Sequence, residues 1–225
     1  MELFSKGIHR ALVPLDSHME NISGVELVES ASSYQMLTQM DLLMFLKEHA
    51  SDIQGIISRT VRESGAVTAN VFAITERTTV IEAIKCMRAA MLNAVPIIRA
   101  STDALAHEDH KQLKNGKGRK LVGTFSATDL RGCHLATLQS WLPLSALDFT
   151  ESVLKSPLYE ASDSPRELVT CVAESSLAEL IDKAVTKHVH RVWVVDQHGL
   201  LVGLVSLTDM IRVLRLALLS HSQAM

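Results

Sequence analysis

Aromatic residues and cysteines are both scarce in this chain of 225 residues. Only nine side chains are Trp, Tyr or Phe, so the core must be built from Leu, Val, Ile, Ala and Met. The three cysteines, Cys86, Cys133 and Cys171, are far apart, and no pair has the Cys-x-x-Cys spacing. A disulfide framework and a zinc site are therefore both poorly supported, and we expect reduced thiols.

The chain also lacks a strong charge of one sign and a long apolar run. Its formal net charge is −3, which gives no electrostatic reason to bind nucleic acid or an anionic membrane. No apolar run reaches the ~18 residues of a transmembrane helix, and the N-terminus lacks the basic and apolar regions of a signal peptide. We therefore expect a soluble protein of the cytoplasm, with the nucleus as an alternative, and neither nucleic acid nor a membrane as partner.

The short motifs that usually mark an enzyme are missing as well. The sequence contains no Gly-x-Gly-x-x-Gly, no phosphate-binding loop, no His-Glu-x-x-His and no Gly-x-Ser-x-Gly. Residues 116–120 combine glycines with cations, but they lack the required spacing and no helix with Ser or Thr follows them. We therefore predict a protein that is not an enzyme, with no catalytic residues.

What the chain does contain is a repeated unit, which its apolar pattern predicts to be strand–helix–strand–strand–helix. The C-terminal copy begins with a strand near Val169 and ends in a helix that runs to Leu219, and the middle copy begins near Val71. Residues 122–129 (Val-Gly-Thr-Phe-Ser-Ala-Thr-Asp) and 202–209 (Val-Gly-Leu-Val-Ser-Leu-Thr-Asp) agree at five of eight positions. Agreement at the same place in the unit indicates a true internal repeat.

A third copy, at the N-terminus, contains only the second half of the unit. Residues 7–14 parallel residues 189–194, and residues 34–41 parallel the Ser-x-x-Asp ending. A half unit leaves part of the apolar surface of its strands and helix exposed to water, at a cost of roughly 25 cal/mol per Å² of exposed apolar surface. We therefore expect the chain to be truncated, or one product of a longer gene. We also expect the half copy to drape onto the rest or to form a homodimer.

The predicted domain organisation is a partial repeat at 1–50, a complete repeat at 51–136, a linker at 137–167 and a complete repeat at 168–220. Residues 101–119 are polar and are expected to form a solvated hairpin insert. His107 and His110 lie in this insert, but no further metal ligand is near them in the sequence, so we predict no metal site. The linker is expected to contain a short helix.

A hydroxyl followed three residues later by an aspartate closes every copy, at Thr38/Asp41, Ser126/Asp129 and Ser206/Asp209. One interpretation is structural, because Ser and Thr cap helices and an acid in the first turn interacts favourably with the helix dipole. The other is a ligand site. A carboxylate there could accept hydrogen bonds from both hydroxyls of a ribose, while the exposed amides face a phosphate.

Basic pairs precede the middle strand in two of the three copies, as His9-Arg10 and His190-Arg191, whereas the middle copy has Asn93-Ala94. These cations could simply satisfy carbonyl groups at the end of the preceding helix. Alternatively they could clamp a phosphate, for which the planar fork of arginine is suited.

The repeat, closed by Val-Gly-x-x-Ser-x-Thr-Asp and carrying His-Arg-Val-x-Val-Val-Asp in its middle, resembles the cystathionine-β-synthase (CBS) domain. Residues Val169 to Leu216 resemble more narrowly the last repeat of the gamma subunits of AMP-activated and SNF1-related kinases, plant gamma-like regulatory subunits in particular. The resemblance implies an α/β fold in which two repeats pair about a pseudo-twofold into a Bateman module. It also implies AMP, ADP or ATP as a regulatory ligand, and the catalytic and scaffold subunits of a protein kinase as partners.

The resemblance also assigns roles to individual residues of this sequence. The positions that match the ribose-binding aspartate and the hydroxyls beside it are Asp209, Asp129, Asp41, Ser206, Thr208, Ser126, Thr128 and Thr38. The positions that match phosphate-contacting cations are His190, Arg191, His9 and Arg10. Met40, Asn93 and Ala94 depart from the pattern. The predicted function is regulation of a kinase through nucleotide binding, and the alternative is a structural or dimerisation scaffold with degenerate clefts.

Overall fold

Strands and helices are interleaved along the chain. The computed structural model describes residues 1–14, 34–101, 109–131, 133, 135–154 and 168–222. Its elements are, in chain order, α1 (Glu2–Ser5), β1 (Arg10–Pro14), β2 (Tyr34–Thr38), α2 (Gln39–Glu48), α3 (Gln54–Ile57), α4 (Val61–Ser64), β3 (Phe72–Thr75), α5 (Val80–Ala89), β4 (Ala94–Ile98), β5 (Lys114–Asn115), β6 (Leu121–Ser126), α6 (Leu135–Trp141), α7 (Ala146–Leu154), β7 (Thr170–Cys171), α8 (Leu177–Thr186), β8 (Arg191–Val195), β9 (Leu201–Ser206) and α9 (Leu207–Ser222). The predicted α/β fold class is confirmed.

The chain divides into two compact units. The first unit comprises Met1–Ala66, Ser175–Arg191 and Ser206–Met225, and the second comprises Val67–Glu174 and Val192–Val205. The first unit contains the β1–β2 hairpin and most of the helices, and the second contains the other strands apart from the terminal residues Arg191 and Ser206. Among the described residues, no helix is both long and apolar enough to cross a bilayer.

The second unit is built on two sheets, with strand orders β5-β3-β4-β6 and β7-β8-β9. In each sheet the first strand of a repeat pairs in parallel with the second, through Ile74↔Ile97 in one and Cys171↔Val194 in the other. Parallel neighbours need a crossover, and the helix that follows the first strand provides it. The sequence pattern of the two complete repeats therefore has a direct counterpart in the strand pairing.

The core of the second unit includes residues that sequence analysis placed in a linker. Phe149 of α7 is fully buried and contacts the rings of Phe125 and Trp141 edge-on, with centroids 5.9 and 5.2 Å apart. Part of the predicted linker 137–167 is thus core structure, and residues 155–167 lie outside the described residues. The domain boundaries themselves stay a prediction.

The polar insert at 101–119 also contributes more than a solvated loop. Its strand β5 pairs with β3 through Phe72↔Asn115 and Ala73↔Lys114, and Gly116 is buried. His107 lies outside the described residues. Within the described part of the chain, no group of three His, Cys, Asp or Glu side chains could hold a metal ion.

Helices α5 and α8 begin directly after the caps Thr79 and Ser176. The hydroxyl oxygens of these caps accept hydrogen bonds from the backbone N–H groups of Glu82 and Glu179. After the last strand of the middle copy, Ala127–Leu130 forms a single 3₁₀ turn, and the helix that closes this copy, α6, starts at Leu135. Gly132 follows this turn in the sequence, and glycine disfavours helix continuation.

The apolar residues of the N-terminal half copy are partly covered. Leu43 of α2 is fully buried, whereas Leu12 of β1 and its cross-strand neighbour Met36 remain 66% and 52% exposed. In the middle repeat, by contrast, all five residues of β4 are buried. In the half copy, α2 therefore has buried residues, whereas most residues of β1 and β2 are exposed to solvent. Formation of a homodimer stays a prediction.

The Val-Gly pair of the repeat has a steric explanation. A Cβ at Gly203 would lie 2.7 Å from the carbonyl oxygen of Thr68 and 2.5 Å from Val67, because the chain at Thr68 exchanges two backbone hydrogen bonds with Leu204. At the equivalent Gly123 the nearest atom would be the end of the Leu147 side chain, at 3.2 Å.

We therefore expect Gly203→Ala to destabilise the protein by about 2 kcal/mol, since backbone must move to admit the methyl group. Gly123→Ala should cost less than about 1 kcal/mol, because a side-chain tip can shift and alanine restricts the unfolded chain. Urea unfolding of both variants measures the difference. Equal losses would contradict the steric explanation.

Candidate functional site

The hydroxyl–aspartate pair has nearly the same geometry at the C-terminal and N-terminal copies. Asp209 Oδ2 accepts hydrogen bonds from the backbone N–H and the hydroxyl of Ser206 at 3.0 and 2.6 Å, and the Asp209 N–H donates to Ser206 Oγ at 3.2 Å. The corresponding distances between Thr38 and Asp41 are 2.8, 2.8 and 3.2 Å. Both pairs are reciprocal capping boxes, one at the start of α9 and one at the start of α2.

The middle copy has the same carboxylate contact with a different hydroxyl arrangement. Asp129 Oδ2 accepts from the Ser126 N–H at 2.7 Å, while the hydroxyls of Ser126 and Thr128 lie 2.9 Å apart. Asp129 and Asp209 are buried, at 5% and 9% exposure, whereas Asp41 is exposed. The structural interpretation thus accounts for one carboxylate oxygen in every copy.

Helix capping alone does not explain why aspartate stands in this position. The α4 cap Thr60 forms the same box with a glutamate, Glu63, whose carboxylate accepts the Thr60 N–H at 2.9 Å. An aspartate also serves outside the repeat ending, since Asp148 pairs with Ser145 at the start of α7. The recurrence of Asp is therefore compatible with a ligand role but does not establish one.

A backbone hydrogen bond that recurs in all three copies joins each cap to the predicted phosphate position. The N–H of the residue after the cap donates to the carbonyl of the residue that precedes the middle strand. The three pairs are Gln39 to His9 at 3.2 Å, Ala127 to Asn93 at 2.9 Å and Leu207 to His190 at 3.1 Å. The structure therefore places the two halves of the predicted site side by side in every copy, and shows Asn93 to be the counterpart of the two histidines.

The cations of the predicted phosphate positions differ in burial. His9, Arg10 and His190 are exposed, and Arg191 is half-buried. Burial lowers the pKa of the Arg191 guanidinium, which nevertheless stays charged at neutral pH because arginine starts so far above it. A half-buried guanidinium loses hydration and therefore gains strongly from an anionic partner.

Asp209 has an additional partner that the sequence analysis missed. The guanidinium of Arg212, one turn along α9, donates to Asp209 Oδ1 at 2.7 Å. Asp209 and Arg212 are three residues apart on a segment predicted to be helical, and this spacing is the sequence signal that indicates an ion pair. This ion pair occupies the carboxylate oxygen that the cap leaves, so a ribose hydroxyl would either share Oδ1 with Arg212 or displace it.

Two copies of the pattern belong to the same unit. The first unit contains Thr38, Asp41 and His9 of one copy and Ser206 and His190 of the other, whereas Ser126 and Asp129 belong to the second unit.

In the first unit, Gln39 links the copies, because its Nε2 donates to Thr208 Oγ1 at 2.8 Å. Sequence reasoning missed Gln39. The sequence signal is a polar residue directly after the cap, where the other copies have the apolar residues Ala127 and Leu207.

Hydroxyls, carboxylates and fixed cations of this kind can bind a ligand with both sugar hydroxyls and phosphate oxygens. Residues 164–216 match the family model of the CBS domain.

Two proteins of Arabidopsis thaliana are similar over nearly the whole chain. They are named SNF1-related protein kinase regulatory subunit gamma-like PV42b and PV42a. The first is 59% identical over 98% of this chain and 61% of its own length, and the second is 58% identical over 96% and 59%. The chain therefore spans about three-fifths of the length of these curated relatives.

Solved structures share the fold at low sequence identity. A Methanocaldococcus jannaschii protein described as a putative archaeal homologue of g-AMPK has a TM-score of 0.60 at 15% identity, over 96% of this chain and 62% of its own. An uncharacterised conserved protein of Pyrococcus horikoshii has the same TM-score and identity, over 94% and 71%. The chain therefore contains a CBS domain at residues 164–216, and over nearly its whole length it is similar to plant proteins named gamma-like regulatory subunits of SNF1-related protein kinase.

Proposed function

We propose that this chain is a non-catalytic regulatory component that binds an adenine nucleotide through the two motif copies of its first unit. One observation carries the proposal. The basic pairs that precede the middle strand of a repeat, His9-Arg10 and His190-Arg191, belong to the unit that also holds two hydroxyl–aspartate pairs. The copy in the second unit has Asn93-Ala94 instead, and a neutral amide binds phosphate more weakly than a cation does.

The chemistry of AMP, ADP and ATP fits these groups. Arg191 and His190 offer charged donors to phosphate oxygens, while Ser206, Thr208 and Asp209 offer hydroxyl and carboxylate groups to the ribose. Binding at the first unit would add an ordered anion next to the start of α9. A regulatory subunit can report such binding only if the ligand prefers one state of the complex.

The names of the relatives support a kinase as the partner. Both Arabidopsis proteins are named regulatory subunits of a SNF1-related protein kinase, and a Kluyveromyces lactis relative, 26% identical over 79% of this chain and 47% of its own length, is named a subunit gamma of 5′-AMP-activated protein kinase. We therefore propose that the chain acts with the catalytic and scaffold subunits of such a kinase, in the cytoplasm or the nucleus.

A specific observation favours the alternative, a scaffold with degenerate clefts. Both oxygens of Asp209 already accept hydrogen bonds within the protein, Oδ2 from Ser206 and Oδ1 from Arg212. If no group of the first unit exchanges these bonds for a ligand, the repeats serve only for packing and assembly.

The first test replaces the half-buried cation. Arg191→Ala should weaken nucleotide binding about 10- to 100-fold, because a charged hydrogen bond to phosphate contributes roughly 1.5–3 kcal/mol. Arg99→Ala is the matched control, since Arg99 is an exposed arginine of the second unit that pairs with Glu76 at 3.8 Å. Calorimetric titration with AMP, ADP and ATP measures both variants, with circular dichroism to verify folding. Equal affinities of Arg191→Ala and wild type would contradict the assignment.

The second test releases Asp209. Arg212→Met removes the ion pair with Asp209, so affinity should rise about two- to fivefold if Asp209 accepts a ribose hydroxyl. An ion pair whose guanidinium is exposed contributes on the order of 1 kcal/mol. Arg215→Met is the control on the same helix, because Arg215 pairs with Glu2 at 3.7 Å instead. Unchanged affinity would contradict a competition between Arg212 and a ribose hydroxyl for Asp209. No nucleotide binding by any of these proteins would favour the scaffold.

A further inference from the structure

Gln39 is a buried polar side chain at a position that does not need one. It is the first residue of α2, directly after the cap Thr38, and it is only 3% exposed. The equivalent residues of the other copies are Ala127 and Leu207, so capping proceeds without a carboxamide there. Burying an amide is unfavourable unless it is hydrogen-bonded, and its partners therefore indicate what Gln39 does.

The partners of Gln39 fix the orientation of its amide. Nε2 donates to the carbonyl oxygen of Phe4 at 3.0 Å and to Thr208 Oγ1 at 2.8 Å, which uses both of its hydrogens. Oε1 faces Nδ1 of His9 at 3.1 Å. The flipped amide would bring two acceptor oxygens together at Phe4, so this orientation is the favourable one.

This orientation determines the hydrogen-bonding roles of two candidate ligand-contacting groups. Because Oε1 has no hydrogen to give, Nδ1 of His9 must carry the proton, and Nε2 is the nitrogen left for other partners. Because Thr208 Oγ1 accepts from Gln39, its own hydrogen is directed to another acceptor. His9 belongs to the N-terminal copy and Thr208 to the C-terminal copy.

We infer that Gln39 is a positioning residue that sets the hydrogen-bonding direction of Thr208 and the tautomer of His9, one group from each copy in the first unit. The inference rests on the proposed function in so far as Thr208 donates its hydroxyl hydrogen to an acceptor oxygen of the bound nucleotide. The fixed tautomer of His9 is a property of the protein without ligand. The two claims can therefore fail separately.

The first experiment reads the tautomer directly. Ring ¹⁵N NMR of the ligand-free protein should show the Nδ1–H form of His9, and Gln39→Met, which is similar in shape but cannot accept this bond, should abolish that preference. Gln35→Met is the matched control, an exposed glutamine changed in the same way on β2. An Nε2–H form in the wild type, or an unchanged tautomer in Gln39→Met, overturns the inference.

The second experiment is a double-mutant cycle on ATP affinity. Gln39→Met and Thr208→Val should each weaken binding about 2- to 10-fold, the range expected for one neutral hydrogen bond. The double variant should lose less affinity than the sum of the two single losses, because part of the effect of Gln39 passes through Thr208. Fully additive losses overturn this role. If the wild type binds no nucleotide, the proposed function fails, whereas the His9 tautomer still decides the inference.

Discussion

The candidate site depends on one backbone hydrogen bond that recurs in every copy. It joins the first residue after the cap to the residue before the middle strand. It is made by the N–H of Gln39, Ala127 and Leu207, at 2.9–3.2 Å from the carbonyls of His9, Asn93 and His190. Because both partners are backbone atoms, the contact survives changes of side chain. The side chains at its two ends can therefore vary from copy to copy while remaining neighbours.

That variation separates the structural role of the motif from its proposed chemical role. The carboxylate of Asp41, Asp129 or Asp209 binds its cap in every copy, so the aspartate contributes to helix initiation whether or not a ligand is present. At the position before the middle strand, only the two copies of the first unit have cations, whereas the copy of the second unit has Asn93-Ala94. In the proposed function, the basic pairs rather than the aspartates distinguish the nucleotide-binding copies from the structural one.

Much of this could be predicted from the sequence because the determining interactions are local. The closing hydroxyl–aspartate pairs and the succession of strands and helices within a repeat depend on residues close together in the chain. Gln39 and Thr208 are 169 residues apart in the chain, and the spacing of apolar residues along the sequence does not predict a contact at such a separation. The burial of Phe149 and the pairing of β5 were missed for the same reason, since their partners are set by tertiary packing.

Hydrogen–deuterium exchange with and without saturating ATP tests the central claim, that the two copies of the first unit bind nucleotide and the copy of the second does not. Bound ligand should slow exchange in peptides covering residues 36–42, 188–193 and 204–211, because it stabilises the locally closed state. The peptide covering residues 122–130 should exchange as before. Unchanged exchange in all four peptides, or protection confined to 122–130, would contradict the account.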